Sequence, residues 1–423
     1  MINIYRNDPE AVEKFLSAER SVRGNVESLV ASIIADVAAR GDEALTDYTE
    51  RLDGIKLTDF KVKKSEIDNA VAQCGERYMQ ILREAAANIS LYHKKQRRRG
   101  FCIRKPDGTV LGQRVIPLAR VGIYVPGGTA SYPSTVLMNA IPAKIAGVKD
   151  IVMVTPPGKD GSIRKEVLAA ARVAGVTKIF KLGGAQAVAA LAYGTKSVPR
   201  VDKITGPGNI FVATAKRQVF GTVAIDMIAG PSDILIVADD SARYDFIAAD
   251  MLSQAEHDRL SQAVLVCTDE ALAAKVSEEL ERRCAMLERR EIAADSIGKN
   301  GAIFVVKDLD EAMDIANRIA PEHLELCVKD PFDTLEKVRN AGSVFLGNYA
   351  PEALGDYFAG PNHTLPTVST ARFSSPLTVD DFVKKSSYVY STPEALANVS
   401  DKIIEFACSE GLTAHAESIR VRE

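Results

Sequence analysis

A chain of 423 residues, 46% hydrophobic and 26% charged, has the composition of an ordinary globular protein and is long enough for two or more domains. Its formal net charge of −3 supplies no basic field for nucleic acid or an anionic membrane, and no apolar run approaches the ~20 residues that span a bilayer. The six cysteines are scattered without a Cys-x-x-Cys pair, which argues against a disulfide framework or a thiolate zinc site and fits a reducing, cytoplasmic setting.

The opening residues, Met1 to Asp8, lack the apolar core of a signal peptide and the Arg/Ser-rich character of a transit peptide. Residues 25–40 read as an amphipathic helix: Val26, Leu29, Val30, Ile33, Ile34 and Val37 keep helical spacing, Asn25 is a candidate N-cap and Gly41 a stop. A second helix follows to Gly54. His93 reads as an ordinary surface residue, and Lys94 to Arg99 as a solvated helix end or loop. From about residue 119, short β-branched runs (121–125, 150–155, 177–182, 201–204, 233–237) alternate with helical stretches. The alternation resumes after residue 240: helix 243–257, strands 263–268, 302–306, 324–328 and 342–346, with helices between. That pitch predicts βαβ units around parallel sheets. Residues 348–376 are expected to carry little regular structure, and a helical tail at roughly 393–409 closes the chain.

The Gly-x-Gly-x-x-Gly dinucleotide fingerprint is absent. Four Gly/Pro turns take its place at predicted strand ends: Val125-Pro126-Gly127-Gly128, Leu182-Gly183-Gly184-Ala185-Gln186, Thr205-Gly206-Pro207-Gly208-Asn209 and Ala229-Gly230-Pro231-Ser232-Asp233. Each alone is equally an ordinary strand-to-helix turn; four together suggest a shared ligand crevice at the carboxyl ends of strands. On helix 243–257, Asp250, Gln254 and His257 share a face, the spacing at which donors from neighbouring turns converge on a metal. Taken alone, His257 reads as a helix-end surface or capping residue. Glu322 and His323 are adjacent where a helix passes into a strand, so their side chains point to opposite faces and serve different protons. Gly355-Asp356-Tyr357 and Gly360-Pro361-Asn362-His363 lie in the long irregular stretch, and Glu410 to His415 lie beyond the last predicted helix. The same residues also fit a zinc-dependent hydrolase that uses Glu322 with a metal-bound water. They fit, too, a nucleotide-binding assembly protein whose histidines are structural.

Read in order, eight motifs form a series: Gly122-Ile123-Tyr124-Val125-Pro126-Gly127-Gly128, Gly206-Pro207-Gly208-Asn209, Ala229-Gly230-Pro231-Ser232, Ser253-Gln254-Ala255-Glu256-His257, Pro321-Glu322-His323-Leu324, Gly355-Asp356-Tyr357, Asn362-His363-Thr364-Leu365-Pro366-Thr367 and Leu412-Thr413-Ala414-His415. The series resembles the histidinol dehydrogenase family over nearly the whole chain. The resemblance implies an NAD-dependent oxidoreductase acting on a CH–OH donor, oxidising L-histidinol through L-histidinaldehyde to L-histidine in the last steps of histidine biosynthesis. It implies one Zn²⁺ per subunit on Gln254, His257, Asp356 and His415. It surrounds the substrate with Ser232, Gln254, His257, His323, Asp356, Glu410 and His415, and places Tyr124, Gln186 and Asn209 at NAD. In such enzymes the tail reaches a second subunit, so His415 and Glu410 would come from the partner of a homodimer. Of the remaining groups, an imidazole near neutral pKa suits the alcohol proton, hence His323, and a carboxylate suits water activation, hence Glu322. His363 is expected to make a structural hydrogen bond in its loop, and Asp258, beside His257, departs from the small residue expected there.

The implied fold is α/β: two incomplete, doubly wound Rossmann-like domains with small helical end segments, in an intertwined homodimer. The expected divisions are a helical segment 1–24, a discontinuous α/β domain 25–120 and 234–376 carrying zinc and catalytic residues, an NAD-binding α/β domain 121–233, and a tail 377–423 against the partner.

Overall fold

The computed structural model describes residues 2–17, 26–57, 59–127 and 132–422. Asn25, proposed as an N-cap, and Gly128 of the first Gly/Pro turn lie outside the described residues. The chain divides into two compact units, residues 1–96 with 119–382, and residues 97–118 with 383–423.

The first unit holds two parallel sheets with helices between their strands, a mixed α/β architecture. The larger has six strands in the order Asn3–Arg6, Ala302–Val305, Gln262–Cys267, Asp233–Ala238, His323–Cys327 and Ser343–Leu346. Asp233–Ala238 and Gln262–Cys267 are buried at every position. That is why they read as continuous apolar runs and not as alternation: helices cover both faces of a parallel sheet. The helix Tyr244–Ala255 buries Ile247, Ala248, Met251, Leu252 and Ala255, and Gln254 is buried with them.

The smaller sheet orders Lys178–Lys181, Asp150–Thr155, Arg120–Tyr124, Lys203–Thr205 and Ala224–Ile225. The chain therefore builds outward from Arg120–Tyr124 in one direction, then returns to build in the other. A crevice opens where the order reverses, between the carboxyl ends of Arg120–Tyr124 and Lys203–Thr205. The turn there is tightly held. Gly206 adopts φ +110°, and a Cβ on it would overlap the Tyr124 carbonyl oxygen. Its N–H donates to Asp226 Oδ2 at 2.7 Å and its carbonyl accepts from Lys216 Nζ at 2.9 Å, while Lys216 and Asp226 form a buried ion pair. Lys216→Ala strands the Asp226 carboxylate in the interior, so we expect a loss of about 3–5 kcal/mol in chemical denaturation; an unchanged midpoint would contradict it.

Three placements differ from the sequence-based expectation. The opening segment contributes a strand, with Ile4 opposite Ile303, because Ile2 and Ile4 find the open edge of the larger sheet. The helices Val26–Arg40 and Asp42–Tyr48 pack on the smaller sheet: Val30, Ile33, Ile34, Val37, Leu45 and Tyr48 share a core with Val152, Val154 and Leu182. Residues 97–118 belong with the tail, in the second unit.

In that second unit Val110–Pro117 is the centre of an antiparallel sheet, flanked by Phe101–Arg104 and Val383–Tyr390. Three helices follow, Pro393–Ala397, Ser400–Ser409 and Thr413–Arg420. His415 thus lies within a helix and not beyond the last one. Among the described residues, no helix is long and apolar enough to cross a membrane.

Candidate active site

The Glu322–His323 pair sits at the amino end of the strand His323–Cys327 of the larger sheet, beside the amino end of Asp233–Ala238, where a rule based on carboxyl ends would not look. Asp233 opens one strand and His323 opens its parallel neighbour, in register with Ile234. Two reciprocal bonds lock them: Asp233 N–H donates to Glu322 Oε2 at 3.1 Å, and Glu322 N–H donates to Asp233 Oδ1 at 2.7 Å. His323 Nδ1 lies 3.2 Å from the Asp233 carbonyl oxygen. That oxygen can only accept, so the network assigns the proton to Nδ1 and leaves Nε2 as the basic nitrogen. Nε2 is buried without a hydrogen-bond partner, with carboxylate oxygens of Glu352 and Asp356 at 3.7 and 3.8 Å. Glu322 Oε2 is 3.9 Å from His323 Nδ1, too far for a hydrogen bond.

Burial governs the electrostatics. Burial pushes the Glu322 carboxyl up to about 8, opposed by the neighbouring imidazole. It acts to lower the His323 imidazole, but the carboxylates of Glu352, Glu322 and Asp356 outweigh it and hold the ring well above its ordinary value. Burial would raise Asp356; the nearby His323 ring and the charges of His363, His323 and His257 prevail and lower it.

Glu352, which the sequence does not single out, joins this group. Helical backbone over Glu352–Leu354 and a wider, π-type turn over Gly355–Ala359 replace the expected irregular chain and set Glu352 and Asp356 about one turn apart. The neighbouring groups assign the Gln254 amide orientation: with its nitrogen towards Glu352 it donates to the two carboxylate oxygens at 2.5 and 3.0 Å, and its oxygen accepts from Asp233 N–H at 3.0 Å. Glu352 is itself seated by its backbone N–H, which donates to Glu325 Oε1 at 2.9 Å. The Pro351-Glu352 step followed by Asp356 at the fourth position was the available signal. Asp250, placed by spacing on the face of Gln254, meets Glu325 instead, and burial raises both carboxyls, Asp250 to about 6.

The first unit thus gathers Gln254, Glu322, His323, Glu352 and Asp356, with His257 close enough for Asp356 and His323 to act on its titration. His323 Nε2 and one carboxylate oxygen from each of Glu352 and Asp356 lie within 4.8 Å of one another. Nitrogen and oxygen donors without thiolate fit zinc. Of the ligand set implied by resemblance, only Asp356 belongs to that tightest group. Ser232 precedes Asp233, and its carbonyl accepts from Gln262 N–H at 3.0 Å. Asp258 is exposed and accepts from Leu260 N–H at 2.9 Å. His363 Nδ1 approaches the Asp356 carbonyl oxygen at 3.1 Å, the loop hydrogen bond expected of it. Glu410 and His415 are carried by the second unit, where both are exposed.

The second component is a cavity of about 880 Å³ over the carboxyl ends of the smaller sheet, lined by Tyr124, Gly127, Gln186, Asn209 and others. The Tyr124 hydroxyl accepts from Gly184 N–H at 3.1 Å, at the start of the helix Gly184–Tyr193. Asn209 caps the next helix, its Oδ1 accepting from Phe211 and Val212 N–H at 3.1 and 3.2 Å. Gln186 Oε1 is buried with no partner. Two helix starts, amides at a strand switch and an unsatisfied acceptor suit a phosphate-bearing dinucleotide.

Residues 16–423 match the family model described as histidinol dehydrogenase. The chain is 53% identical over 420 residues to a histidinol dehydrogenase of Bacillus cereus, covering 98% of each chain. It is 54% identical over 416 residues to that of Geobacillus kaustophilus, again with 98% of each covered. A crystal structure of histidinol dehydrogenase from Elizabethkingia anophelis aligns with a TM-score of 0.95 at 36% identity, over 100% of this chain and 98% of that one.

Proposed function

The chain belongs to the histidinol dehydrogenase family, and from that premise we propose how its residues divide the work of the NAD- and zinc-dependent oxidation of L-histidinol through L-histidinaldehyde to L-histidine. The observation that carries the assignment is the Asp233 clamp, which fixes a buried carboxyl and a buried imidazole on consecutive residues with one nitrogen left unsatisfied.

His323 is the base for the alcohol: its Nε2 takes the hydroxyl proton, and the surrounding carboxylates favour the imidazolium that results. Glu322 is the base for the second oxidation and takes a proton from the water that adds to the aldehyde. Burial raises its carboxyl, which makes the ionised form a stronger base than an exposed carboxylate. Gln254, His257, Asp356 and His415 hold the metal, and Ser232 and Glu410 complete the substrate's surroundings. Tyr124, Gln186 and Asn209 contact the dinucleotide. When bound, zinc supplies positive charge that orients the substrate's nitrogens, and NAD supplies the hydride acceptor for each oxidation.

His415 and Glu410 serve the site of a second copy. Their exposure in a unit that also displays Phe406 and Val389, 69% and 73% exposed, supports an interface between copies. The scattered thiols and the lack of a membrane-spanning helix among the described residues are compatible with the cytoplasm.

The assignment is tested by supplying metal-replete protein with histidinol and NAD and following NADH absorbance. NADH must appear; none from a folded, zinc-loaded sample would refute it and favour a hydrolase. Glu352 fixes the Gln254 amide, whose oxygen keeps a second lone pair for the metal beside the bond it accepts from Asp233 N–H. Glu352→Ala should therefore weaken zinc binding by about 10–100-fold in chelator competition, whereas unaltered affinity would make Glu352 a bystander.

A further inference from the structure

The cavity over the smaller sheet has a second unsatisfied acceptor that no motif in the sequence accounts for. Asp53 ends the short wide-turn helix Thr49–Asp53, directly before Gly54 at φ +72°, and lines the same cavity as Tyr124, Gln186 and Asn209. Its Oδ2 is buried with no hydrogen-bond partner among the described residues, as is Gln186 Oε1.

We propose that Asp53 accepts a hydrogen bond from a ribose hydroxyl of the dinucleotide and makes the enzyme prefer a cofactor without a ribose phosphate. The proposal rests on the cofactor reading above and extends it to specificity. Two orphaned acceptors in one cavity call for a ligand that brings donors, and the hydroxyls of a ribose are the donors a dinucleotide carries. A carboxylate in that position also disfavours a ribose phosphate, which brings negative charge and, ionised, little to donate.

The electrostatics of Asp53 agree with a ligand-facing role. Desolvation alone pushes the Asp53 carboxyl up to about 6, with no cation or donor to offset it. Its influence reaches the Tyr124 hydroxyl, so it acts inside the cofactor site. The sign follows from linkage. A carboxyl whose folded value lies above its unfolded one stabilises the fold only while protonated, and that benefit is lost as pH rises through about 6. At neutral pH Asp53 therefore burdens the empty protein. A side chain kept for the fold's sake would show the reverse.

The test is Asp53→Asn, titrated directly with NADH and NADPH by nucleotide fluorescence, with thermal melting in parallel. The variant is expected to bind NADH about 10–100-fold more weakly, since it loses a charge-assisted hydrogen bond. Its preference for NADH over NADPH should narrow about tenfold or more. The KM for NAD should rise without a matching rise in the KM for histidinol, and the melting temperature of the empty protein at neutral pH should hold or increase. Unchanged NADH affinity overturns the proposal, and so does a fall in melting temperature with equal losses for both nucleotides, which would mark Asp53 as structural. Wild-type protein that binds NADH but leaves histidinol unoxidised refutes the proposed function and leaves this inference standing. Wild-type protein that binds neither nucleotide overturns both.

Discussion

Glu322→Gln is expected to separate the two oxidations. Histidinol should still be converted to the aldehyde, while aldehyde oxidation falls by about 10²–10⁴, the usual worth of a positioned general base. His323→Asn should depress the alcohol step by a similar factor. The separation follows from the anchoring. Glu322 and His323 are adjacent yet not hydrogen-bonded to each other, and each is tied independently to Asp233, one through its carboxylate and one through Nδ1. Substituting either side chain leaves the other's anchor in place: His323 Nδ1 still meets the Asp233 carbonyl oxygen, and Glu322 N–H still donates to Asp233 Oδ1. Rapid-quench assays with histidinol and with histidinaldehyde would measure both steps. Equal loss of both in the Glu322 variant contradicts the division of roles.

Much of this arrangement was legible in the sequence, and the failures have definite causes. The parallel strands announced themselves because burial on both faces makes them continuous apolar runs, as in Asp233–Ala238. Asn3–Arg6 escaped because an edge strand of four residues is half polar and carries no period. The antiparallel sheet of the second unit escaped for a related reason: Phe101–Arg104 is exposed throughout, and Val383–Tyr390 carries polar residues at most positions. His93 was misplaced on the surface although Met79, Leu82, Ala85 and Ile89 form its helical stripe. It is buried, with Nδ1 2.9 Å from the Ile89 carbonyl oxygen and burial lowering its titration. Within the site, residue types and order pointed to Glu322, His323, Gln254 and Asp356. Asp233 and Glu352 were not singled out: Asp233 acts through a backbone clamp that leaves no spacing to read, and Glu352 is marked only by its i, i+4 relation to Asp356.

A larger effect still is expected from crossing two inactive variants. His257→Asn and His415→Asn should each abolish activity and zinc retention as homodimers. If His415 completes a partner's site, a hybrid of the two variants has one site lacking both ligands and one site intact. Random reassembly of equal amounts makes half the dimers hybrid, so about a quarter of wild-type activity should return. If His415 served its own chain, every site in every dimer would lack one ligand and nothing would return. The exposure of His415 and Glu410 on their own unit is the structural reason to expect the first outcome.

The central claim is that one site carries a single substrate through both oxidations, with the aldehyde kept between the two bases. The most direct measurement counts NADH against histidinol consumed, with an aldehyde-trapping reagent in solution. The account predicts two NADH per histidinol and no trapped aldehyde. One NADH per histidinol with the aldehyde recovered in the trap would contradict it.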